Sequence, residues 1–309
     1  MVHRVLLAVV LICSLVTLNS SGASADIDWS LVRPMSEFPR IANRIQQLVQ
    51  KTGNGKVDQV RLNPRIVGGQ PTTPENIPYQ AAILSNFPDG TGLCGGILVS
   101  LNYVLTAASC VDGASGGTVI LGAQNIQNAN EAGQVRISFT AANVFVHEDY
   151  VEFIFRNNIA VIRLGQTVQQ TARIRPAFLP AANEARTFAG FAAQISGFGW
   201  TSDASSSFSD VLRYTTNVIW TNADCADGYW GGLVDSQKMC LSYLENRGPC
   251  VGDDGGPMTV LEAGQRMVVG MFSFGSVIGC ESNWPTVFVR ISFYLDWIAS
   301  HTDAQIRSN

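Results

Sequence analysis

The sequence has little charge, few histidines and no long hydrophobic run beyond its amino terminus. Charged residues make up 14% of the 309 residues, and there are only 3 histidines. No apolar run reaches the roughly 20 residues that a membrane-spanning helix needs. A Cys-x-x-Cys pair is also missing, which disfavours a zinc site. We therefore expect no metal and no cofactor. No repeat of roughly 20–50 residues is present, which excludes solenoids and propellers.

Basic residues are scarce in the main part of the chain. From residue 66 to residue 309 there are 12 Lys or Arg and 20 Asp or Glu, a net charge of 12 − 20 = −8. An acidic surface of this kind repels phosphate backbones and anionic lipids. We therefore expect neither a nucleic-acid partner nor a membrane partner.

The amino terminus has the pattern of a secretory signal. His3 and Arg4 precede an apolar run of 14 residues, Val5 to Leu18, and the small residues Ala23-Ser24-Ala25 follow. We predict a signal peptide over residues 1–25 and secretion to the extracellular space. Removing Cys13 with the signal leaves six cysteines, an even number that suits an oxidising compartment. Six cysteines allow 15 pairings, and their spacing alone selects none of them.

Residues 26–65 form a separate pro-segment without cysteines. They contain seven basic and four acidic residues, a charge balance opposite to that of the chain that follows. The apolar residues Ile41, Ile45, Leu48 and Val49 fall on one face of a short amphipathic helix that would end near Gly53. This segment either lies on the acidic domain or forms a flexible tether.

The remaining 244 residues read as all-β. Runs rich in β-branched and aromatic residues, separated by Gly, Asn, Asp and Pro, predict strands near residues 80–84, 96–106, 118–121 and 135–139. Only the end is helical, because Ile291, Tyr294, Leu295 and Ile298 form an apolar stripe behind a candidate N-cap at Ser292.

Three short motifs resemble those of chymotrypsin-fold serine peptidases. The stretch Gly248 to Pro257 resembles the loop of that family that carries the nucleophile, with Asp254 where the family has serine. Thr106-Ala-Ala-Ser-Cys110 places Ser109 where the family has its histidine base. Asn158 stands where the family has the aspartate that orients this histidine. The alternatives for the loop alone are an acidic Gly-Pro turn or a fragment of a calcium loop.

The resemblance implies two six-stranded antiparallel β-barrels closed by a carboxy-terminal helix. It places the peptidase-like domain at residues 66–309, with barrels at about 66–182 and 183–290 and the helix at about 292–301. It also implies three disulfides, Cys94–Cys110, Cys225–Cys240 and Cys250–Cys280. The opening Ile27 to Pro34 resembles, more specifically, the pro-region of brachyurin-type, collagenase-like insect proteases.

Activation and specificity follow from the same resemblance. Cleavage after Arg65 would free the amino group of Ile66 to pair with Asp253, and Gly252 takes the oxyanion-hole position. Residues at four positions would form an uncharged pocket for small or apolar side chains, or else a collapsed slot: Gly248, Ser273, Gly275 and Thr286.

These residues predict a secreted serine protease homologue that is not an enzyme, because all three triad positions are replaced. Such a protein would act by binding, as a cofactor, decoy or scaffold, after cleavage at Arg65. We expect a monomer with two partners, an activating trypsin-like protease and an unknown protein ligand. The alternative is an active secreted endopeptidase of the brachyurin type.

Overall fold

The computed structural model describes residues 27–39, 42, 68–226, 229, 232–276 and 279–308. The predicted signal peptide, the helix predicted around Ile41 to Gly53 and the junction at Arg65 all lie outside these residues. Two short strands come first in the described chain, β1 (Val32–Pro34) and β2 (Gln70–Pro71). The remaining described strands form two sheets whose members pair antiparallel.

The first sheet has the strand order β7-β6-β3-β4-β5-β9-β8, and β1 pairs with β4 outside this path. A single predicted strand over residues 96–106 is wrong, because Ser100 to Asn102 turn the chain between β4 and β5. The strands are β3 (Gln80–Phe87), β4 (Gly90–Leu98), β5 (Tyr103–Thr106), β6 (Gly116–Leu121), β7 (Val135–Thr140), β8 (Val144–Val146) and β9 (Ala160–Arg163).

The second sheet has the order β10-β13-β14-β15-β12-β11, with β2 at its edge, and pairing of β10 with β11 closes it into a barrel. Its strands are β10 (Ala192–Gly197), β11 (Arg213–Trp220), β12 (Lys238–Leu241), β13 (Pro257–Glu262), β14 (Gln265–Phe274) and β15 (Thr286–Arg290). The predicted two-barrel fold is confirmed, and the short strands β1, β2 and β8 extend the sheets beyond six strands. The change from one sheet to the other falls between Arg163 and Ala192.

Alternating apolar residues along the strands fill three main clusters. One lies within the first barrel around Ile83 and Val119, and one within the second around Met239 and Phe288. A larger cluster contains residues of both barrels and of the carboxy-terminal helix, among them Ile298. Burying a side chain of this size contributes about 1.5–3 kcal/mol, so the clusters hold the two barrels against each other.

The described helices are short. They are α1 (Ala108–Val111), α2 (Asn222–Ala226) and α3 (Leu295–His301), and a 3₁₀ turn at Ile291–Tyr294 precedes α3. The N-cap predicted at Ser292 is wrong: this residue lies inside the 3₁₀ turn, and α3 begins after Tyr294 with no side-chain cap. None of the helices in the described ranges is long and apolar enough to cross a membrane.

Candidate functional site

The first barrel supplies Ser109 and Asn158, which are joined by a hydrogen bond. Ser109 lies in α1, and its backbone N–H donates to Oδ1 of Asn158 at 2.9 Å. The Asn158 side chain is fully buried, and its Nδ2 donates to Oγ of Ser273 at 2.9 Å. Since Ser273 belongs to β14, the Asn158 amide connects the two barrels. Both ends of this amide are therefore occupied by neutral hydrogen-bond partners.

The second barrel supplies the loop with Asp253 and Asp254. Gly252 and Gly255 have φ angles of 95° and 79°, in the left-handed region that favours glycine. The Asp254 carbonyl accepts the Gly95 N–H at 2.7 Å, which ties the loop to strand β4 of the first barrel. The glycines and this bond fix the turn that presents the two acids.

Asp253 is buried and held by backbone donors. Its carboxylate accepts the N–H groups of Gly199 at 2.8 Å and of Cys250 at 2.9 Å. A Cβ on Gly197 would lie 2.0 Å from Oδ1 of Asp253, so this close approach requires glycine. Burial raises the pKa of Asp253 to about 7 against the effect of these donors, and the neighbouring Asp254 charge adds to the increase. No described cation lies within ion-pair distance of this carboxylate.

Asp254 lies partly exposed at the cavity but is closely surrounded by protein atoms. This burial raises the pKa of its carboxyl group to about 6. The backbone N–H groups of Asp254 itself and of Gly252 act in the opposite direction and stabilise the anion. The N–H of Gly252, predicted for the oxyanion hole, therefore stabilises the chain's own carboxylate.

A cavity of about 150 Å³ brings together residues of both barrels. Ser109 and Asp254 both line it, so the structure brings these two predicted positions together. Its wall is largely aromatic, with Phe272, Phe274, Phe155 and Trp284, and the Phe155 and Phe274 rings stack at 5.0 Å between centroids. Such a wall favours apolar groups.

Three of the four predicted pocket residues, Ser273, Gly275 and Thr286, line this cavity. The fourth, Gly248, lies next to Thr286. A Cβ added to Gly248 would lie 3.9 Å from Cγ2 of Thr286, an ordinary van der Waals distance. The Thr286 hydroxyl is buried and has no hydrogen-bond partner among the described residues. An unpaired buried hydroxyl costs free energy, which a bound group with a polar atom would recover.

Three disulfides hold the loops that carry these residues. They join Cys94 to Cys110, Cys225 to Cys240 and Cys250 to Cys280, as the resemblance implied. The first fixes the turn with Ser109 to β4, and the third joins the loop with Asp253 to the opposite wall of the cavity.

His147 packs against the aromatic residues behind the site. Its side chain is 14% exposed, and its ring stacks on Trp297 and meets the Tyr294 ring edge-on. The Tyr294 hydroxyl donates to Oδ1 of Asn157 at 2.8 Å, immediately before Asn158. Burial lowers the pKa of His147. This histidine therefore belongs to the packing behind the site.

Two cavity residues come from the predicted pro-segment, and sequence reasoning missed both. Met35 and Ser36 line the same cavity as Ser109 and Asp254. Met35 is 4% exposed, so its side chain is buried against the first barrel. The one feature of the sequence that could have indicated a buried residue here is that Met35, directly after Pro34, is apolar.

Two antiparallel barrels, a cavity between them and a glycine-framed loop at its edge define a chymotrypsin-like fold. Comparison with known proteins agrees: a sequence model of the Trypsin family matches residues 66–298. Brachyurin from Leptuca pugilator is 40% identical over 237 residues, covering 77% of this chain and 98% of that protein. Collagenase from Hypoderma lineatum is 31% identical over 240 residues, covering 77% and 87%.

A solved structure of HL collagenase superposes with a TM-score of 0.68 at 30% identity, covering 78% of this chain and all of the other. The chain belongs to the trypsin family of serine proteases. The prediction that it is not an enzyme is contradicted by these comparisons, because the relatives that match over most of its length have the names of proteolytic enzymes.

Proposed function

We propose that this protein is secreted and acts by binding a polypeptide segment in the cavity between its barrels, as a cofactor, decoy or scaffold. In this proposal, cleavage after Arg65 by a trypsin-like protease prepares the cavity, and the protein works as a monomer. The three disulfides support an oxidising destination. The partner would be a protein, because the domain's net charge of −8 disfavours nucleic acid and anionic membranes.

The observation that carries this proposal is that the Asp254 carboxyl group and Ser109 line the same cavity, whose surface is mainly apolar. Nucleophilic catalysis by serine needs a base within hydrogen-bond reach and donors free for the developing oxyanion. Here the Ser109 N–H is bonded to the Asn158 amide. The Gly252 N–H, which catalysis would need free for the developing oxyanion, stabilises the Asp254 anion instead. Binding uses the walls of the cavity and none of these groups.

The cavity favours an apolar side chain. It is aromatic, and Gly248 contributes no charge at the position where some family members have an acid for Lys or Arg. The unpaired Thr286 hydroxyl adds one polar contact at the wall. We therefore expect a fluorescent peptide amide with the sequence Ala-Ala-Pro-Phe to bind the cleaved protein at least tenfold more tightly than the peptide amide Ala-Ala-Pro-Lys, in which Lys replaces Phe.

A fluorophosphonate probe tests the proposal directly. If the protein acts by binding alone, the cleaved form takes up no probe, whereas the triple variant Ser109→His, Asn158→Asp and Asp254→Ser, cleaved in the same way, is labelled. Each single reversion should stay unlabelled, because a catalytic triad acts as a unit. Selective peptide binding without labelling supports the proposal.

An active endopeptidase of the brachyurin type is the second candidate, favoured by the 40% identity to brachyurin. Rapid stoichiometric labelling of the unaltered protein, with turnover of the peptide, would establish it and overturn a role limited to binding. Equal affinity for the two peptides would contradict the proposed apolar preference.

A further inference from the structure

Residues 32–38 of the pro-segment occupy a groove on the first barrel. Strand β1 runs parallel to β4, with Val32 opposite Thr91, Arg33 opposite Gly92 and Pro34 opposite Leu93. The other edge of this part of β4 pairs with β3, so β1 covers the edge that the barrel leaves open. Adding an extended strand to an open edge is a common way of binding a peptide.

Three apolar side chains of the segment anchor it. Val32, Met35 and Phe38 recur at every third position and are 9%, 4% and 1% exposed. The Phe38 ring meets the Phe87 ring edge-on at 5.1 Å between centroids. In contrast, Leu31 of the same segment is 65% exposed. The segment is a short strand over Val32–Pro34 followed by a 3₁₀ turn at Met35–Glu37, and its three anchors define an apolar ligand of that shape.

Gly92 makes room for two of these anchors. A Cβ at this position would lie 2.3 Å from Sδ of Met35 and 3.3 Å from Cε2 of Phe38. The three nearest atoms to this position all belong to the pro-segment, so the missing side chain serves the segment. We call the open edge of β4 at residues 91–93, together with the space beside Gly92 and Phe87, the docking groove.

The docking groove continues into the cavity, because Met35 and Ser36 line that cavity with Ser109 and Asp254. We propose that the docking groove is a peptide-binding site whose built-in ligand is residues 32–38. Cleavage after Arg65 then makes it available to an apolar segment of another protein that adopts the same strand and turn, with aliphatic, Met and Phe-like residues at i, i+3 and i+6. This proposal rests on the proposed function for its cleavage step only.

Occupancy of the groove depends on the covalent connection. Each buried anchor contributes about one to two powers of ten to a binding constant, and association costs offset much of the total. A dissociation constant on the order of 10⁻³ to 10⁻⁵ M is expected for the free segment. A covalent connection keeps its ligand at an effective concentration on the order of millimolar, so the uncut segment stays bound. No cysteine in residues 26–65 retains it after the cut.

The test uses the full-length chain and a fluorescent synthetic peptide of residues 27–39, with binding followed by anisotropy. Phe38→Ala in the full-length chain should loosen the tethered segment and let the peptide bind at least tenfold more tightly than to the unaltered chain. The matched control is Leu31→Ala, which changes an exposed residue of the same segment and should keep the groove closed. Cleavage after Arg65 should open the groove in the unaltered chain.

A second pair of variants tests the groove itself. In the cleaved protein, Gly92→Val should abolish peptide binding, whereas Leu261→Ala, at an exposed residue of the second barrel, should leave it unchanged. If Phe38→Ala does not fold, hydrogen exchange of the amides of residues 91–93 in the unaltered chain replaces it. These amides should exchange slowly before cleavage, while β1 covers them, and faster after it. Equal peptide affinity for the uncut and cut chains, or unchanged binding to Gly92→Val, would overturn the proposal. Because Phe38→Ala needs no cut, failure of cleavage does not affect this result.

Discussion

The two sides of the cavity, one from each barrel, bury polar groups in opposite ways. On the first side the Asn158 amide is neutral, fully buried and bonded at both ends, to Ser109 and Ser273. On the second side Asp253 and Asp254 are adjacent acids whose pKa values are raised to about 7 and about 6. The first arrangement stabilises the fold without charge, whereas the second keeps a cost that a bound cation or a proton would relieve.

The largest expected effect is on the melting temperature and concerns Asp253, on the second side of the cavity. After cleavage at Arg65, the Ile66 ammonium should pair with Asp253 and raise the melting temperature of the cut chain above that of the precursor. Breaking a buried ion pair of this kind costs about 3–5 kcal/mol, so Asp253→Asn should remove the gain. Asp254→Asn should leave the gain intact. Equal melting temperatures before and after a verified cut would show that Asp253 gains no partner.

The next largest effect concerns the Asn158 amide, whose removal would leave two polar groups on the first side without a partner. Asn158→Ala leaves the Ser109 N–H and the Ser273 hydroxyl without their present partner, and we expect a loss of about 3 kcal/mol in the free energy of unfolding. Urea unfolding measures this loss. The control Asn130→Ala, at an exposed loop residue, should change stability by less than about 0.5 kcal/mol. A similar loss in both variants would contradict the role given to the Asn158 amide.

Protonation should distinguish the two sides. Because burial raises the pKa of both acids above the ordinary 3.8, the folded state binds more protons than the unfolded state between pH 4 and 7. Stability should therefore fall as pH rises through about 6 and 7. Asp254→Asn should reduce this slope and stabilise the precursor at pH 8 by about 1–3 kcal/mol. Thermal unfolding from pH 5 to pH 8 measures both effects, and an unchanged slope would contradict the raised pKa of Asp254.

The smallest expected effect concerns Thr286 in the wall of the second side. Thr286→Val removes a buried hydroxyl without a described partner while keeping the shape of the side chain. Stability should rise by about 0.5–1 kcal/mol, measured by urea unfolding. The control Thr259→Val removes a hydroxyl that donates to the Gln194 carbonyl at 3.4 Å, and should not stabilise. A loss of stability in Thr286→Val would mean that this hydroxyl has a partner in solution.

Much of the fold could be predicted because alternation of apolar residues and turn residues are local signals. They located β3, β6 and β7 to within a few residues, and the motif resemblance supplied the connections between them. Local signals failed at residues 96–106, where the chain turns without a glycine or proline, and at Ser292, where a 3₁₀ turn replaces the expected cap.

The candidate site was only partly predictable for a related reason. Ser109, Asn158 and Asp254 lie in motifs that a single sequence reveals. The bond between Asn158 and Ser273 joins residues 115 positions apart, and no local pattern indicates it. The position of Met35 in the cavity depends on an open strand edge and on Gly92, which become neighbours only after the first barrel has formed.

Strand β1 has a further consequence for how the protein is stored before it is cut. Open strand edges of two molecules can pair with each other, which leads to aggregation. While residues 32–34 cover β4, the precursor presents no free edge at residues 91–93. Under the proposed secretion and cleavage, the uncut chain can therefore be held at high concentration without self-association through this edge, and the hazard begins only after the cut.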